Sequence, residues 1–147
     1  MVRNIRKYDV NRDVNRDKLR LMCDAAVRAA LIGVVDDDDA IRHASSSFIR
    51  SAGFRCVAFK SALHFLASEA VNTVDCLLLD IRMPGMNGLE LQHELAGRIP
   101  IIFVTAVADG AFRQQALGKG AVAFILKPFD ADELLNAIVL AIDHRGC

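Results

Sequence analysis

The stretch Cys76-Leu77-Leu78-Leu79-Asp80, which continues as Ile81-Arg82-Met83-Pro84-Gly85-Met86-Asn87-Gly88, decides how the rest of the chain is interpreted. Its first four residues are wholly apolar, which is typical of a strand buried on both faces of a parallel sheet. The run ends at a carboxylate, Asp80, and then enters a segment rich in proline, glycine and asparagine, which is typical of turns. The pattern therefore places Asp80 at the carboxyl end of a buried strand, the edge at which open α/β sheets bind ligands.

Further apolar runs and helical patterns flank this strand in strict alternation. The predicted strands cover Leu31–Val35, Phe54–Phe59, Cys76–Leu79, Ile101–Val104 and Ala121–Leu126. Apolar residues at helical spacing predict helices from Ile41 to Ala52, Leu63 to Ala70, Leu89 to Leu95, Phe112 to Leu117 and Leu134 to Ala141. This alternation indicates an α/β domain, built as a doubly wound five-stranded parallel sheet with five helices.

The net charge of the chain is zero, but the charge is unevenly distributed. The 147 residues include 18 basic and 18 acidic residues. Residues 1–21 carry seven basic and three acidic residues, a net +4, so the remainder carries −4. An overall charge of zero argues against a general nucleic-acid or membrane binder, because such proteins are usually strongly basic. We predict a basic N-terminal extension over residues 1–28, either disordered or forming a short polar helix, ahead of a globular domain over residues 29–147.

Cysteine usage and hydropathy favour a reducing, cytoplasmic setting. No two of the four cysteines form a CxxC pair, and Cys56 and Cys76 lie inside strand-like apolar runs, where a thiol behaves as a small hydrophobe. This pattern fits neither a disulfide scaffold nor a zinc site. No apolar stretch approaches the roughly 20 residues of a membrane-spanning helix, so we expect no membrane partner.

Polar side chains stand at the carboxyl ends of several predicted strands. Asp36 and Asp37 follow the first strand, Asp80 the third, Thr105 the fourth and Lys127 the fifth. Clustered carboxylates repel one another unless a cation is present, and hard oxygen ligands suit Mg²⁺. An aspartate beside a metal, an ammonium and a hydroxyl can attack phosphorus and form an acyl phosphate. The pattern therefore predicts a Mg²⁺ site next to a phosphoryl-accepting carboxylate.

Four motifs resemble the receiver domain of two-component response regulators, over about Ala29–Asp143. In order they are Val34-Val35-Asp36-Asp37-Asp38, Leu78-Leu79-Asp80-Ile81-Arg82-Met83-Pro84-Gly85-Met86-Asn87-Gly88, Ile101-Ile102-Phe103-Val104-Thr105-Ala106 and Gly120-Ala121-Val122-Ala123-Phe124-Ile125-Leu126-Lys127-Pro128-Phe129. The resemblance implies a flavodoxin-like sheet with strand order 2-1-3-4-5. It also implies a signalling domain, which is not an enzyme beyond assisting its own phosphorylation and dephosphorylation.

The resemblance assigns the phosphoacceptor and metal roles position by position. Asp80 would accept a phosphoryl group from a histidine kinase. Asp37 and Asp80 would bind Mg²⁺ directly, together with the backbone carbonyl of Arg82, and Asp36 would contact the metal through water.

The resemblance also assigns switch roles near the ends of the fourth and fifth strands. Thr105 would bond the phosphoryl group and move toward it, and Lys127 would pair with the free or phosphorylated carboxylate. Phe124 matches the position of an aromatic switch, although an ordinary core or surface aromatic on the fifth strand is an equally good interpretation. A cis Lys127–Pro128 peptide is in keeping with the family, because a cis X–Pro bond costs only about 0.5–1 kcal/mol.

Two further positions are expected to set the lifetime of the phosphorylated state. Arg82 lies two residues after the acceptor and Val107 two residues after Thr105. In this family these sites flank the path of the attacking water. A long arginine and an apolar valine should obstruct that water, so we expect slow self-dephosphorylation.

The expected partners are a sensor histidine kinase or phosphotransfer protein, and a downstream protein or a second copy of the chain. Candidate docking residues on the fourth helix are Ala111, Phe112, Gln115 and Ala116, with ordinary helix packing as the alternative interpretation. Only 17 residues follow Asp130, so we expect no direct DNA binding from this chain.

Two other functions remain open at the level of sequence. One is a receiver-like module that binds partners without being phosphorylated. The other is a phosphatase with an aspartate nucleophile. Such phosphatases usually carry an acid–base aspartate two residues after the nucleophile, and here Arg82 occupies that position, which counts against this alternative.

Overall fold

A computed structural model describes residues 30–143, which form a five-stranded parallel sheet with helices on both faces. The strands are β1 (Leu31–Val35), β2 (Arg55–Phe59), β3 (Cys76–Leu79), β4 (Ile101–Thr105) and β5 (Ala123–Leu126). The helices are α1 (Asp39–Ser51), α2 (Ala62–Leu66), α3 (Gly88–Leu95), α4 (Gly110–Gly118) and α5 (Ala131–Asp143), with a 3₁₀ helix at Glu69–Asn72. All pairings are parallel and the order is β2-β1-β3-β4-β5, which confirms the predicted fold class and strand order.

The apolar strands divide the interior into two cores, one on each face of the sheet. One core contains Phe65, Leu91 and Phe103, and the other contains Ile49, Ile102 and Ile138. Because successive side chains of a strand point to opposite faces, the neighbours Ile102 and Phe103 enter different cores. Burial on both faces is the physical reason why the central strands lack alternating polar residues.

A capped helix start and one glycine bring α3 close to the end of β3. The Asn87 side chain accepts a hydrogen bond from the Glu90 amide at 2.8 Å, and the Glu90 carboxylate accepts one from the Asn87 amide at 2.9 Å. The Gly88 amide donates to the Ile81 carbonyl at 2.8 Å. A Cβ atom at Gly88 would lie only 2.2 Å from the Asp80 carbonyl oxygen. A glycine is therefore required where α3 begins.

Several predicted boundaries differ from the structure by one to four residues, and two of them have a clear local cause. The helix predicted from Leu63 to Ala70 ends at Leu66, because the Ser68 hydroxyl accepts a hydrogen bond from the Ala70 amide at 2.9 Å and starts the 3₁₀ helix instead. The last strand begins at Ala123 rather than Ala121, since the Ala121 amide donates to the Ala116 carbonyl at 3.1 Å and still closes α4. Short-range hydrogen bonds of this kind compete with the regular element.

The surface of α4 differs from its expected docking face at one residue. Ala111 and Gln115 are exposed and Phe112 is half-buried. Ala116 is fully buried, and it is the buried residue of this helix, so it packs inside the domain and cannot contact a partner there. The prediction for Ala116 is therefore wrong.

The predicted basic extension over residues 1–28 lies outside the described residues. Within residues 30–143, every helix is too short or too polar to cross a membrane.

Candidate functional site

The carboxyl ends of four strands meet at one edge of the sheet. In the strand register Val35 pairs with Leu79, and Thr105 pairs with Leu126. The ladder continues one residue further, because the Asp80 amide donates to the Val35 carbonyl at 3.1 Å and the Lys127 amide donates to the Thr105 carbonyl at 2.9 Å. Since Leu79 also pairs with Phe103 and Phe103 with Phe124, Asp36 and Asp80 lie one residue beyond this level of the sheet, Thr105 lies two residues beyond it and Lys127 three. All four residues therefore lie at the same edge of the sheet.

Three carboxylates form an acidic cluster at this edge. One oxygen from each of Asp36, Asp37 and Asp80 lies within 4.8 Å of the others. Asp36 and Asp80 are buried, with 4% and 8% exposure, whereas Asp37 is exposed. A set of hard oxygen ligands with one side open to solvent fits Mg²⁺, which keeps several of its waters when it binds carboxylates.

Lys127 bridges the two buried carboxylates of the acidic cluster. Its Nζ lies 2.7 Å from Asp36 Oδ2 and 3.4 Å from Asp80 Oδ2. Burial alone would lower the pKa of the ammonium, but the hydrogen bond to Asp36 and the charges of Asp80 and Asp36 outweigh burial and raise the pKa above its ordinary value. Lys127 is therefore a fixed positive charge beside Asp80.

The Asp80 carboxyl group is held in an environment that disfavours its charge. Burial raises its pKa above the ordinary value of 3.8, the Lys127 ammonium opposes that rise, and the neighbouring Asp36 charge adds to it. Asp80 Oδ1 also accepts a hydrogen bond from the Ile81 amide at 2.8 Å, which fixes the orientation of the group. A cation in the acidic cluster would favour the ionised form and oppose the raised pKa.

Asp36 is anchored through both of its carboxylate oxygens. Oδ1 accepts a hydrogen bond from the Asp38 amide at 2.9 Å and Oδ2 accepts one from Lys127 at 2.7 Å. The acidic run from Asp36 to Asp39 is thus shared between the acidic cluster and α1, because the Asp38 side chain caps α1 by accepting from the Ile41 amide at 3.0 Å.

The residues assigned to the switch lie on β4, where Thr105 is the last residue, and on β5, where Phe124 is the second residue. Thr105 is fully buried, and its hydroxyl oxygen accepts a hydrogen bond from the Val107 amide at 3.2 Å. The Phe124 ring is buried in the core, 6.2 Å from the ring of Phe103. The Lys127–Pro128 peptide is cis, as the family resemblance implies.

Arg82 is exposed and lies at the rim of the site. Arg82 lines an open depression of about 540 Å³. The other lining residues are Asp37, Ile81, Met83, Pro84, Asn87 and Phe112. Arg82 is therefore next to the acidic cluster and in contact with solvent.

Sequence patterns did not mark Arg42 as part of this site. Its guanidinium donates from Nη1 to the Asp36 backbone carbonyl at 2.8 Å. A basic residue in the first turns of an amphipathic helix gives no signal in sequence that distinguishes it from a solvated charge. A contact with a carbonyl six residues earlier appears only when the loop conformation is known.

Comparison with known proteins identifies the family. The model of the family described as the response regulator receiver domain matches residues 32–139. The chain belongs to this family. The receiver is 43% identical over 118 residues to nodulation protein W of Bradyrhizobium diazoefficiens, an alignment that covers 78% of this chain and 52% of that protein. It is 43% identical over 127 residues to response regulator protein TodT of Pseudomonas putida, covering 84% of this chain and 55% of TodT.

A solved structure supports the same assignment. Response regulator StyR superposes with a TM-score of 0.72 at 39% identity, covering 79% of this chain and 60% of the StyR chain. The receiver spans about half the length of the curated relatives it matches. The predicted membership of the receiver family, and with it a place in two-component signalling, is confirmed.

Proposed function

We propose that this receiver accepts a phosphoryl group on Asp80 from a sensor histidine kinase or a phosphotransfer protein. Asp37, Asp80 and the backbone carbonyl of Arg82 would hold Mg²⁺, and Asp36 would contact it through water. Phosphorylation then changes the conformation and so controls a downstream protein or a second copy of the chain. The observation that carries this proposal is the acidic cluster with Lys127 between its two buried members.

The transfer requires one bond to form and one to break. A carboxylate oxygen of Asp80 attacks phosphorus, the bond from phosphorus to the donor nitrogen breaks, and the donor imidazole leaves with that electron pair. Bound Mg²⁺ supplies positive charge to the phosphoryl oxygens. Lys127 adds a second positive charge from within the protein, since its raised pKa keeps it protonated at neutral pH.

We place the switch at Thr105 and Phe124. The Thr105 hydroxyl donates to a phosphoryl oxygen on Asp80, which draws its side chain toward the acceptor. Because Thr105 is fully buried, its movement changes the space available to neighbouring core side chains. The buried ring of Phe124, which contacts β4 through Phe103, responds to that change.

Acetyl phosphate with Mg²⁺ tests the acceptor. We expect one covalent phosphoryl adduct, mapped to Asp80 by mass spectrometry, in the wild type. Asp80→Asn should form none, while Glu94→Gln, which alters an exposed carboxylate of α3, should be modified as the wild type is. Repeated turnover of a phosphoester would indicate a phosphatase with an aspartate nucleophile. The absence of both an adduct and turnover would indicate a module that only binds partners. Phosphatase turnover and the absence of any reaction would each overturn the proposal.

We further propose a cytoplasmic setting and a domain that begins near residue 29. Cys56 is a free thiol, and burial raises the pKa of that thiol, which keeps it protonated and unreactive. Ala30 is already buried, and the Leu31 amide donates to Asp75 Oδ2 at 2.9 Å. These contacts support a boundary between a basic extension over residues 1–28 and a receiver over residues 29–147.

A further inference from the structure

The Arg42 side chain spans the loop after β1, which carries Asp36 and Asp37 of the acidic cluster. Its Nη1 donates to the Asp36 carbonyl at 2.8 Å, and its Nη2 pairs with the Asp39 carboxylate. The side chain is mostly buried, with 21% exposure, whereas that of Asp39 is 87% exposed. The contact with Asp36 is therefore the more protected of the two.

The Asp36 carbonyl belongs to the peptide group that joins Asp36 to Asp37. Because a peptide group is planar, fixing its oxygen restrains the last backbone dihedral of Asp36 and the first of Asp37. Those dihedrals determine how the two carboxylates project into the acidic cluster. On the other side of Asp36, its amide donates to the Phe59 carbonyl at 3.1 Å, so the residue is held from both ends.

The hydrogen bond from Arg42 should affect the position of the Asp37 carboxylate more than that of the Asp36 carboxylate. The Asp36 side chain has two anchors of its own, in Lys127 and the Asp38 amide. Asp37 is the exposed member of the acidic cluster, so packing gives it little support. The orientation of the backbone at the Asp36–Asp37 peptide is then a main determinant of where its carboxylate lies.

We propose that Arg42 is a positioning residue for divalent-cation binding, which holds the Asp36–Asp37 peptide so that the Asp37 carboxylate meets those of Asp36 and Asp80. This inference rests on the proposed function, because Mg²⁺ binding at the acidic cluster is part of that proposal.

The sign of the effect distinguishes positioning from charge. A guanidinium near carboxylates repels a cation, so its removal should tighten Mg²⁺ binding if charge were its only contribution. A positioning role predicts the opposite. Arg42→Gln removes both the charge and the paired donor groups of the planar guanidinium, whereas Arg42→Lys keeps the charge and loses the paired donors.

The experiment is a Mg²⁺ titration by calorimetry at fixed ionic strength. We expect Arg42→Gln to raise the dissociation constant by about tenfold, which is the lower end of the loss seen when outer partners of metal ligands are removed. Arg42→Lys should also bind more weakly. Arg50→Gln is the matched control, since it removes an equal charge from the same helix, where the guanidinium lies 3.4 Å from the Cys56 carbonyl. The Mg²⁺ affinity of Arg50→Gln should equal or slightly exceed that of the wild type.

A metal-free measurement accompanies the titration. Loss of the hydrogen bond to the Asp36 carbonyl should shift the NMR amide resonance of Asp37 in both Arg42 variants and leave it in place in Arg50→Gln. If Arg42→Gln does not fold, Arg42→Lys decides through the same two measurements.

Two results would overturn the inference in different ways. Mg²⁺ binding by the Arg42 variants as tight as in the wild type, or tighter, leaves the proposed function intact and removes the positioning role. A wild type that binds no Mg²⁺, or binds it no better than Asp37→Asn does, refutes the metal site of the proposed function, and the inference fails with it.

Discussion

At the scale of single residues, Asp80 is a carboxyl group that folding makes harder to ionise. Burial is the main cause, and it raises the pKa above the ordinary value of 3.8. The folded chain therefore binds this proton more tightly than the unfolded chain does. Stability from this group is fully present below the ordinary pKa and is lost as the pH rises through the raised pKa.

We accordingly predict that Asp80→Asn raises the free energy of unfolding at pH 7 in Mg²⁺-free buffer, because asparagine fills the same space without a charge. The advantage over the wild type should shrink as the pH falls toward the ordinary carboxyl pKa of 3.8. Urea unfolding over a pH series measures the difference in the free energy of unfolding between Asp80→Asn and the wild type, with Glu94→Gln as the exposed control. A loss of stability at pH 7 would mean that the attraction of Lys127 outweighs burial.

Arg82 and Val107 are the residues that we expect to set the lifetime of the acyl phosphate. Arg82 is exposed at the rim of the site, and the Val107 amide donates to Thr105 at 3.2 Å. We predict that Arg82→Asn and Val107→Glu each speed dephosphorylation, because they open the path of water and add polar groups that orient it. Together they should do so by about tenfold, which corresponds to about 1.4 kcal/mol in the barrier.

The decay of radiolabelled phosphoprotein after removal of the donor measures this lifetime. Arg98→Asn is the control, since the Arg98 guanidinium donates a hydrogen bond to the Leu95 carbonyl at the far end of α3. Equal decay rates in the wild type, both single variants and the double variant would contradict the expectation.

At the scale of elements, the start of α3 depends on the missing side chain of Gly88. A Cβ atom there would lie 2.2 Å from the Asp80 carbonyl oxygen and 2.9 Å from the Ile81 Cα, and both are backbone atoms that cannot rotate away. We predict that Gly88→Ala destabilises the domain by about 3 kcal/mol and lowers Mg²⁺ affinity, because the backbone of Asp80 must shift.

Gly110→Ala is the matched control for Gly88→Ala. Gly110 also begins a helix, α4, but a Cβ atom there meets nothing within 4 Å. That variant should be up to about 1 kcal/mol more stable than the wild type, because alanine favours the helix. Urea unfolding compares the two, and equal effects would show that close approach at Gly88 is not the cause.

The end of α3 carries an alanine in the left-handed region. Ala96 has φ +50° and is exposed, whereas the corresponding residue after α1, Ala52, has φ −83°. The left-handed conformation costs an L-residue roughly 1–2 kcal/mol, and a glycine at this position would avoid that cost. The greater freedom of glycine in the unfolded chain offsets about half of this gain in stability.

We therefore predict that Ala96→Gly stabilises the protein by about 0.5 kcal/mol, and that Ala52→Gly destabilises it by a similar amount. Thermal and urea unfolding of the two variants provide the measurement. The opposite signs are the result that matters, and equal destabilisation by both substitutions would exclude strain at Ala96.

At the scale of the whole molecule, Mg²⁺ and folding should be linked. The acidic cluster draws ligands from two strands that are joined only when the sheet forms, so the unfolded chain lacks the site. At ten times the dissociation constant, Mg²⁺ should add about 1.4 kcal/mol to the free energy of unfolding. Asp37→Asn should abolish that response, and Glu94→Gln should preserve it.

Urea unfolding with and without Mg²⁺, at matched ionic strength, tests the linkage. Stabilisation that persists in Asp37→Asn would place the cation elsewhere on the acidic surface.

Much of the fold follows from local patterns. The predicted strand ends lie within two residues of the observed ones, because apolar runs and turn residues are encoded by neighbours along the chain. The boundary at Ser68 was not predicted, because a hydroxyl that caps a short helix competes with apolar periodicity over only a few residues.

The sequence by itself determined that the central strands are buried on both faces, that carboxylates, a hydroxyl and an ammonium follow the strands, and that the motifs resemble those of receivers. Only the tertiary structure decided which atoms meet. Lys127 and Asp36 are 91 positions apart yet lie 2.7 Å from each other, and Arg42 reaches the carbonyl between two metal-binding candidates. Such contacts depend on strand register and on the path of one loop, which are properties of the folded sheet and not of any short stretch of chain.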